Sequence, residues 1–205
     1  MEQMSAKLYL IRHGRTDWNA LRILQGGIER DLDEQGRKQA QQAALRFKEI
    51  PFQVIYSSVM SRARQTAEII AKSKGLEVCL LEGIHEGSYG LYEGTSIHDF
   101  EQKFAEKFAE RSLLSFEEQL QFQLDEGIDS GQDIIDRVLP PLHDLSRKHP
   151  NENVLIVTHG WVIRTLITFL KKEALDNFRV RNGGHILIEG NGETLKVVDY
   201  EEAIL

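Results

Sequence analysis

Two histidine–glycine pairs follow apolar runs near opposite ends of the chain. The sequence LYLIRHG occupies residues 8–14, and the sequence NVLIVTHG occupies residues 153–160. Each run has the length of a buried strand, so each pair places an imidazole at the end of a strand. The arginine beside His13 adds a forked cationic donor that suits the oxygens of phosphate. The pattern therefore predicts a phosphate site at these strand ends.

Cleavage of a phosphate monoester needs a nucleophile, cations that neutralise the phosphoryl oxygens and an acid for the leaving alcohol. His13 can be the nucleophile if its imidazole is neutral and hydrogen-bonded through the other ring nitrogen. The guanidinium groups of Arg12 and Arg62 are the candidate cations. His159 can donate to the same oxygens, and Glu86 is the candidate acid.

Each of these residues also has an ordinary structural explanation when it is taken alone. A histidine–glycine pair after a strand is often only a turn, and Arg62 could pair with a surface carboxylate. Glu86 alone would be a solvated loop carboxylate, and His159 alone would be a core histidine. The joint pattern favours chemistry, because all of them follow apolar runs that read as strands.

The apolar runs alternate with helical patterns along the chain. This alternation predicts an α/β fold, a three-layer sandwich with a mostly parallel central sheet and helices on both faces. Ligands of such sheets bind beyond the carboxyl ends of the strands. The segments GHILIEG and TLKVVDY, separated by NGE, predict a terminal hairpin. A longer helix is expected at roughly 133–148, with a kink or break at Pro140 and Pro141.

We expect one domain over residues 1–205, with a small helical cap inserted at about 88–130. Three phenylalanines of the cap, Phe100, Phe104 and Phe108, are spaced four apart, which is typical of one helix face. They could form an apolar lid that favours substrates with aliphatic or aromatic leaving groups. They could equally attach the cap to the core.

The composition excludes several classes of protein. The 205 residues carry a net charge of -7, which makes nucleic acid and anionic membranes poor partners. The single cysteine, Cys79, excludes an intramolecular disulfide, and its apolar surroundings predict a buried core thiol. The amino terminus lacks the pattern of a signal peptide, and no apolar stretch has the length of a membrane span. We therefore expect a cytoplasmic protein, a monomer or a homodimer, whose partner is a small phosphate ester.

Taken together, these motifs resemble those of the histidine phosphatase superfamily, also called the phosphoglycerate mutase-like superfamily. The resemblance rests on LIRHGRTDWN, LQGGIERDLDEQGRKQA, IYSSVMSRARQTAEII, IHEGSYGLYEG, GIDSGQDIIDRV and VLIVTHGWVIRTLI, in that order along the chain. It implies the catalytic residues Arg12, His13, Arg62, Glu86 and His159. It also implies substrate-binding residues at Thr16, Asn19, Gln25, Gly26 and Gly160.

The resemblance implies a two-step mechanism in which His13 becomes phosphorylated and Glu86 serves first as acid and then as base. Neither a metal nor a cofactor is expected, because the arginines neutralise the phosphate. The short cap favours a phosphatase over a mutase, and an apolar lid would be permissive, so a phosphatase of broad specificity is the first interpretation. A cofactor-dependent phosphoglycerate mutase is the second interpretation, and a dedicated phosphatase for a sugar bisphosphate or α-ribazole phosphate is the third. A module that binds phosphorylated partners without turnover would require the loss of one of the five catalytic residues, and all five are present.

Overall fold

The structure is a computed structural model that describes residues 5–173 and 179–200, so residues 1–4, 174–178 and 201–205 lie outside the description. The expectation about a signal peptide falls partly on residues 1–4 and thus partly outside it. Among the described residues, no helix combines the length and the apolar character needed to span a membrane.

A single mixed sheet forms the middle layer of the described molecule. Its strands are β1 (Ala6–Arg12), β2 (Phe52–Ser57), β3 (Val78–Leu80), β4 (Asn153–Thr158), β5 (His185–Gly190) and β6 (Leu195–Tyr200). The order across the sheet is β3-β2-β4-β1-β5-β6. β1 to β4 are mutually parallel, whereas β5 pairs antiparallel with both β1 and β6. The mostly parallel sheet and the terminal hairpin are both confirmed.

The described helices are α1 (Asp17–Ala20), α2 (Glu34–Arg46), α3 (Ser61–Lys74), α4 (Ile97–Lys103), α5 (Ala105–Ser112), α6 (Phe116–Gln121), α7 (Gly131–Lys148) and α8 (Gly160–Lys171). Four of them cover the two faces of the sheet: α2 and α3 lie on one face, and α7 and α8 lie on the other. Leu8 and Leu10 of β1 belong to the core formed with α7 and α8. Ile11 of β1 belongs to the opposite core, formed with α2 and α3. Side chains that alternate along a strand reach both layers, which confirms the three-layer architecture.

Local sequence signals set the ends of α2 and α3. The Asp33 carboxylate accepts a hydrogen bond from the backbone N–H of Gly36 at 2.7 Å, so it caps the start of α2. Gly75 ends α3 with φ at 65°, a left-handed conformation that glycine adopts without strain. On the inner face of α2, Ala40 and Ala43 are fully buried, as their spacing predicts.

The break expected at the two prolines is absent. α7 runs from Gly131 to Lys148 with Pro140 and Pro141 inside it, so the prediction of a break was wrong, and a kink stays a prediction. Interior prolines remove two helical hydrogen bonds and cost about 3 kcal/mol or more each. Val138 and Leu142, on either side of the pair, are fully buried in the core. Packing against the sheet holds the helix together despite the lost bonds.

Cys79 is exposed, which corrects the prediction of a buried thiol. The reason is the position of β3, which lies at the edge of the sheet and pairs with β2. The strand is also shorter than the apolar run around it, and its last residue, Leu80, is exposed as well. An apolar run at a sheet edge thus need not be buried.

The segment between β3 and α7 contains a 3₁₀ turn at Gly90–Tyr92 and then α4, α5 and α6. We call residues 88–130 the cap. Phe104 divides the expected single helix, since it ends α4 and begins α5. Phe100 and Phe104 are nevertheless buried together, with their ring centroids 4.9 Å apart. They form an apolar cluster with Leu124 and Ile128 of the cap and with Leu24, which lies outside the cap.

Candidate active site

The two histidine–glycine pairs meet because β1 and β4 are adjacent parallel strands that end together. Arg12 is in register with Thr158, and the backbone N–H of His13 donates to the Thr158 carbonyl at 3.0 Å. The ring centroids of His13 and His159 are 5.2 Å apart. Both side chains are buried. The two imidazoles therefore lie together at the carboxyl ends of β1 and β4, as expected from the rule that ligands bind beyond the carboxyl ends of parallel strands (the strand-end rule).

The ring of His13 is held in one tautomer. Its Nδ1 lies 2.7 Å from the carbonyl oxygen of Gly14, and a carbonyl only accepts, so Nδ1 carries the proton. Burial, and then the charges of Arg62 and Arg12, hold the pKa of His13 well below its usual value. The imidazole is therefore neutral, and the lone pair of Nε2 is available.

Backbone carbonyls anchor the two arginines. Arg12 Nη1 donates to the Val180 carbonyl at 2.6 Å. Arg62 donates from Nη1 to the Ile28 carbonyl at 2.9 Å and from Nη2 to the Gly26 carbonyl at 2.8 Å. The Nε atom of each arginine is buried and has no hydrogen-bond partner within the described chain. Fixed, unpaired N–H donors of this kind suit the oxygens of a phosphoryl group.

Gly160 begins α8 and allows close packing at the site. A Cβ atom on Gly160 would lie 3.0 Å from Arg12 Nε, which is tighter than ordinary contact. The absence of a side chain therefore lets the guanidinium of Arg12 lie against the start of α8. The first N–H groups of a helix have no intrahelical acceptor and form its positive end, so this position also favours an anion.

A hydroxyl orients the second histidine. Ser58 Oγ lies 2.9 Å from His159 Nε2, and His159 Nδ1 is buried without a partner among the residues described. Burial, followed by the charge of Arg62, keeps the pKa of His159 well below its usual value, so the ring is neutral. If the Ser58 hydroxyl donates to Nε2, the proton of His159 stands on Nδ1. That N–H is then the group that can bind an anion.

Glu86 lies on the segment between β3 and the cap, close to the start of α8. Its carboxylate accepts from the Gly87 N–H at 3.1 Å and from the Trp161 N–H at 3.4 Å. Burial lowers the pKa values of Arg12 and Arg62, and the charge of Glu86 opposes that shift in both. The structure thus brings all five predicted catalytic side chains into one neighbourhood.

The other predicted substrate-binding residues bond largely to one another. Thr16 caps α1, where its hydroxyl accepts from the Asn19 N–H at 3.1 Å. The same hydroxyl donates to Gln25 Oε1 at 3.0 Å. Gly26 provides the carbonyl that holds Arg62. Contact of these residues with a substrate stays a prediction, as does the backbone contact of Gly160.

Three further residues support the site. Besides Ser58, Thr66 Oγ1 accepts from the Gly14 N–H at 3.0 Å, and Asn182 Nδ2 donates to the His13 carbonyl at 3.0 Å. Ser58 directly follows β2, so the strand-end rule could have indicated it. Asn182 lies in a loop whose sequence has no periodic pattern, so nothing in the sequence indicated that it contacts the site.

A cleft of roughly 520 Å³ adjoins Glu86. It is lined by Gly27, Ile28, His85, Glu86, Ser88, Glu93, Asp129, Asp133 and Arg137. Seven of these nine residues have polar or charged side chains, whereas the cap phenylalanines Phe100 and Phe104 are buried in an apolar cluster and do not line the cleft. The idea of an apolar lid was therefore wrong for these two residues. Within the described ranges, no three histidine, cysteine or carboxylate side chains are grouped to hold a metal ion.

Known proteins are similar to this chain in sequence and in architecture. A metal-independent phosphoserine phosphatase from Arabidopsis thaliana is 38% identical over 174 residues, which cover 81% of this chain and 69% of that protein. Phosphoglycerate mutase-like protein 4 of the same plant is 35% identical over 164 residues, or 78% of this chain and 69% of that protein. Phosphoserine phosphatase from Entamoeba histolytica, solved with 3-phosphoglyceric acid, superposes with a TM-score of 0.80 at 28% identity, covering 97% of this chain and 98% of that one.

The family model that matches this chain is described as the histidine phosphatase superfamily (branch 1), and it spans residues 8–203. The match includes both histidine–glycine pairs, the whole of β4 and β1 from Leu8 onward. Since the model covers nearly the whole sequence, the chain is a member of the histidine phosphatase superfamily and a phosphoric monoester hydrolase.

Proposed function

We propose that this chain hydrolyses small, polar phosphate monoesters without a metal, through a phosphohistidine at His13. The observation that carries the proposal is a neutral, buried imidazole beside three unpaired buried donors. These donors are Arg12 Nε, Arg62 Nε and His159 Nδ1. One group can attack phosphorus, and the others can hold the oxygens that gather charge during the transfer.

The proposed reaction has two steps. First, His13 Nε2 attacks phosphorus in line, the bond to the ester oxygen breaks, and Glu86 gives its proton to that oxygen. Second, the Glu86 carboxylate takes a proton from water, the water oxygen attacks phosphorus, and the bond between nitrogen and phosphorus breaks. Inorganic phosphate leaves, and His13 and Glu86 return to their starting forms.

Metal independence follows from how the charge is neutralised. Arg12 and Arg62 are fixed cations in a buried site, where electrostatic stabilisation is stronger than in water. The start of α8 adds the positive end of a helix dipole. These groups do for the phosphoryl oxygens what metal ions do in other phosphoryl-transfer sites. The similarity to a protein named a metal-independent phosphatase supports this part of the proposal.

The polar lining of the cleft supports a substrate whose alcohol part is polar. O-phosphoserine is the first ester to test, because two similar proteins carry phosphoserine phosphatase in their names. Its ammonium group would suit the carboxylates of Glu93 and Asp129 at the cleft. Broad specificity stays a prediction, although the apolar lid no longer supports it, and a dedicated sugar-bisphosphate or α-ribazole phosphate phosphatase stays an alternative.

A phosphoglycerate mutase is the second candidate, favoured by the similarity to phosphoglycerate mutase-like protein 4. A mutase must keep water away from the phosphohistidine until the phosphoryl group returns to a substrate. Here Glu86 itself lines the open cleft, so water can reach the base of the second step. That exposure favours hydrolysis over transfer.

The test is release of inorganic phosphate from O-phosphoserine and from a panel of esters, with EDTA present throughout. The proposal expects turnover that EDTA does not reduce. Incubation with 3-phosphoglycerate and 2,3-bisphosphoglycerate should yield little 2-phosphoglycerate. Rapid interconversion would assign the chain to the mutases, and loss of phosphate release in EDTA would end the claim of metal independence.

A further inference from the structure

The segment that carries Glu86 has no regular structure of its own. Residues 81–88 belong to neither a strand nor a helix. The carboxylate of Glu86 has two backbone contacts, and one of them, to Gly87, comes from the neighbouring residue. The position of Glu86 therefore depends on what fixes the backbone on either side of it. A general acid must lie within hydrogen-bond reach of the leaving oxygen, and an error of about 1 Å can cost roughly a hundredfold in rate.

Arg137 of α7 fixes that backbone. Its Nη1 donates to the Gly83 carbonyl at 2.9 Å and to the His85 carbonyl at 2.6 Å. The backbone also packs tightly on the helix, since a Cβ atom on Gly83 would lie 2.6 Å from the carbonyl oxygen of Arg137. One nitrogen thus holds two of the three residues that lead to Glu86.

Asp129 holds the other end of the same segment. Its carboxylate accepts from the Ser88 N–H at 3.0 Å, and its own N–H donates to the Ser88 carbonyl at 3.0 Å. Arg137 Nη2 lies 3.7 Å from the Asp129 carboxylate, and it is buried without a hydrogen-bond partner in the part of the chain described. Arg137 and Asp129 therefore hold the segment 83–88 at both ends.

Helix α7, which carries Arg137, is firmly packed. On α7, Ile134 and Val138 are fully buried in the core between the helix and the sheet. Ser130 and Asp133 form a reciprocal cap at the start of the same helix. Arg137 thus projects from an element with little freedom to move.

We propose that Arg137 is a positioning residue for Glu86 in the phosphatase reaction. It acts through two carbonyls, because its Nη1 is occupied by both of them and its Nη2 faces the Asp129 carboxylate at 3.7 Å. Arg137 also lines the cleft, so a double-mutant cycle with Glu86 is needed to separate positioning of Glu86 from direct contact with the substrate. This inference rests on the proposed function, in which Glu86 protonates the leaving oxygen.

The test compares two substrates of similar shape, phenyl phosphate and p-nitrophenyl phosphate. Phenyl phosphate releases phenoxide, which depends on protonation by Glu86 more than the nitrophenoxide released from p-nitrophenyl phosphate does. Arg137→Met should lower kcat/KM for phenyl phosphate about tenfold to a hundredfold, and that for p-nitrophenyl phosphate about threefold or less. Arg137→Lys should recover part of the loss, because one ammonium can donate to both carbonyls.

A double-mutant cycle separates positioning from general damage. If Arg137 acts through Glu86, Arg137→Met should add little to the loss already caused by Glu86→Gln. Arg147→Met is the matched control, since Arg147 lies on the last turn of α7 and donates to the Gly192 carbonyl at 2.6 Å. It should leave the ratio between the two substrates unchanged.

Two results would overturn the inference, and a third would overturn its basis. Equal losses with both substrates, or additive losses with Glu86→Gln, would leave Arg137 a purely structural role. If Glu86→Gln itself fails to discriminate between the substrates, the assignment of the acid is wrong. Should Arg137→Met fail to fold, Arg137→Gln carries the same comparison, because its shorter side chain cannot hold both carbonyls. Equal losses with both substrates in that variant would contradict the inference.

Discussion

At the scale of single residues, the chemistry depends on which ring nitrogens carry protons. The Gly14 carbonyl and the Ser58 hydroxyl contact His13 and His159, respectively. The first contact leaves the Nε2 lone pair of His13 free, as the proposed attack on phosphorus requires. If the Ser58 hydroxyl donates in the second contact, a proton stands on Nδ1 of His159, as the proposed donation to an oxygen requires. Two imidazoles that titrate alike in water thus receive opposite roles from their neighbours.

Replacement of the Ser58 hydroxyl should weaken the binding of anions. Ser58→Ala removes the donor that keeps the His159 proton on Nδ1, so inhibition by phosphate and by vanadate should weaken about tenfold. ¹⁵N chemical shifts of the His159 ring should show a larger share of the Nε2–H form. Ser57→Ala is the control, because Ser57 donates to the Ser58 carbonyl and does not reach the imidazole. Unchanged inhibition in Ser58→Ala would contradict this role.

Sequence predicted these residues to the extent that they follow strands. His13 and His159 were found because each ends an apolar run, and Ser58 could have been found by the same rule. Asn182 could not, since its hydrogen bond to the His13 carbonyl joins residues 169 positions apart in sequence. Arg137 was also not singled out, because a half-buried arginine on an amphipathic helix normally lies at a solvated face.

At the scale of elements, the cap shows how packing overrides a simple periodicity. The spacing of Phe100, Phe104 and Phe108 predicted one helix, and the chain divides at Phe104 while the rings still pack together. α7 shows the same principle, because it continues through Pro140 and Pro141. Local propensity predicted the types of elements, and tertiary contacts decided their ends.

If the phenylalanines stabilise the cap, a truncation should loosen it without changing substrate preference. Phe104→Ala removes a nearly buried ring and should cost about 3–5 kcal/mol of local stability. Limited proteolysis should cut the variant faster within the cap than the wild type. The ratio of kcat/KM between aryl and alkyl esters should stay within about twofold.

Leu113→Ala is the matched control for that experiment, because Leu113 lies in the cap and is 87% exposed. It should change neither proteolysis nor turnover. If Phe104→Ala selectively impaired aryl esters, the ring would have to reach the substrate. The lid interpretation would then return for this residue.

At the scale of the whole molecule, an acidic body encloses a cationic pocket, and this arrangement has consequences for stability. Burial holds the pKa values of His13 and His159 well below the usual value near 6.5. The unfolded chain binds protons at these residues below about pH 6.5, and the folded chain does not. Stability is therefore greatest above about pH 6.5 and falls as the pH drops below it.

The size of that fall can be measured. Each histidine that stays neutral in the folded state contributes up to about 1.4 kcal/mol per pH unit to the loss. Urea unfolding in phosphate-free buffer, at about pH 7.5 and about pH 5.5, should show this decrease in the wild type. His13→Asn combined with His159→Asn should show a shallower decrease. An equal decrease in both proteins would mean that these histidines titrate normally in the folded state.

The central claim is that His13 carries the phosphoryl group, and one measurement tests it most directly. The enzyme is mixed rapidly with p-nitrophenyl phosphate and quenched in alkali, and its peptides are examined by mass spectrometry for covalent phosphate. We expect an acid-labile, alkali-stable phosphate on His13, and neither phosphate nor turnover in His13→Ala. Phosphate on any other residue, or turnover by His13→Ala, would contradict the account.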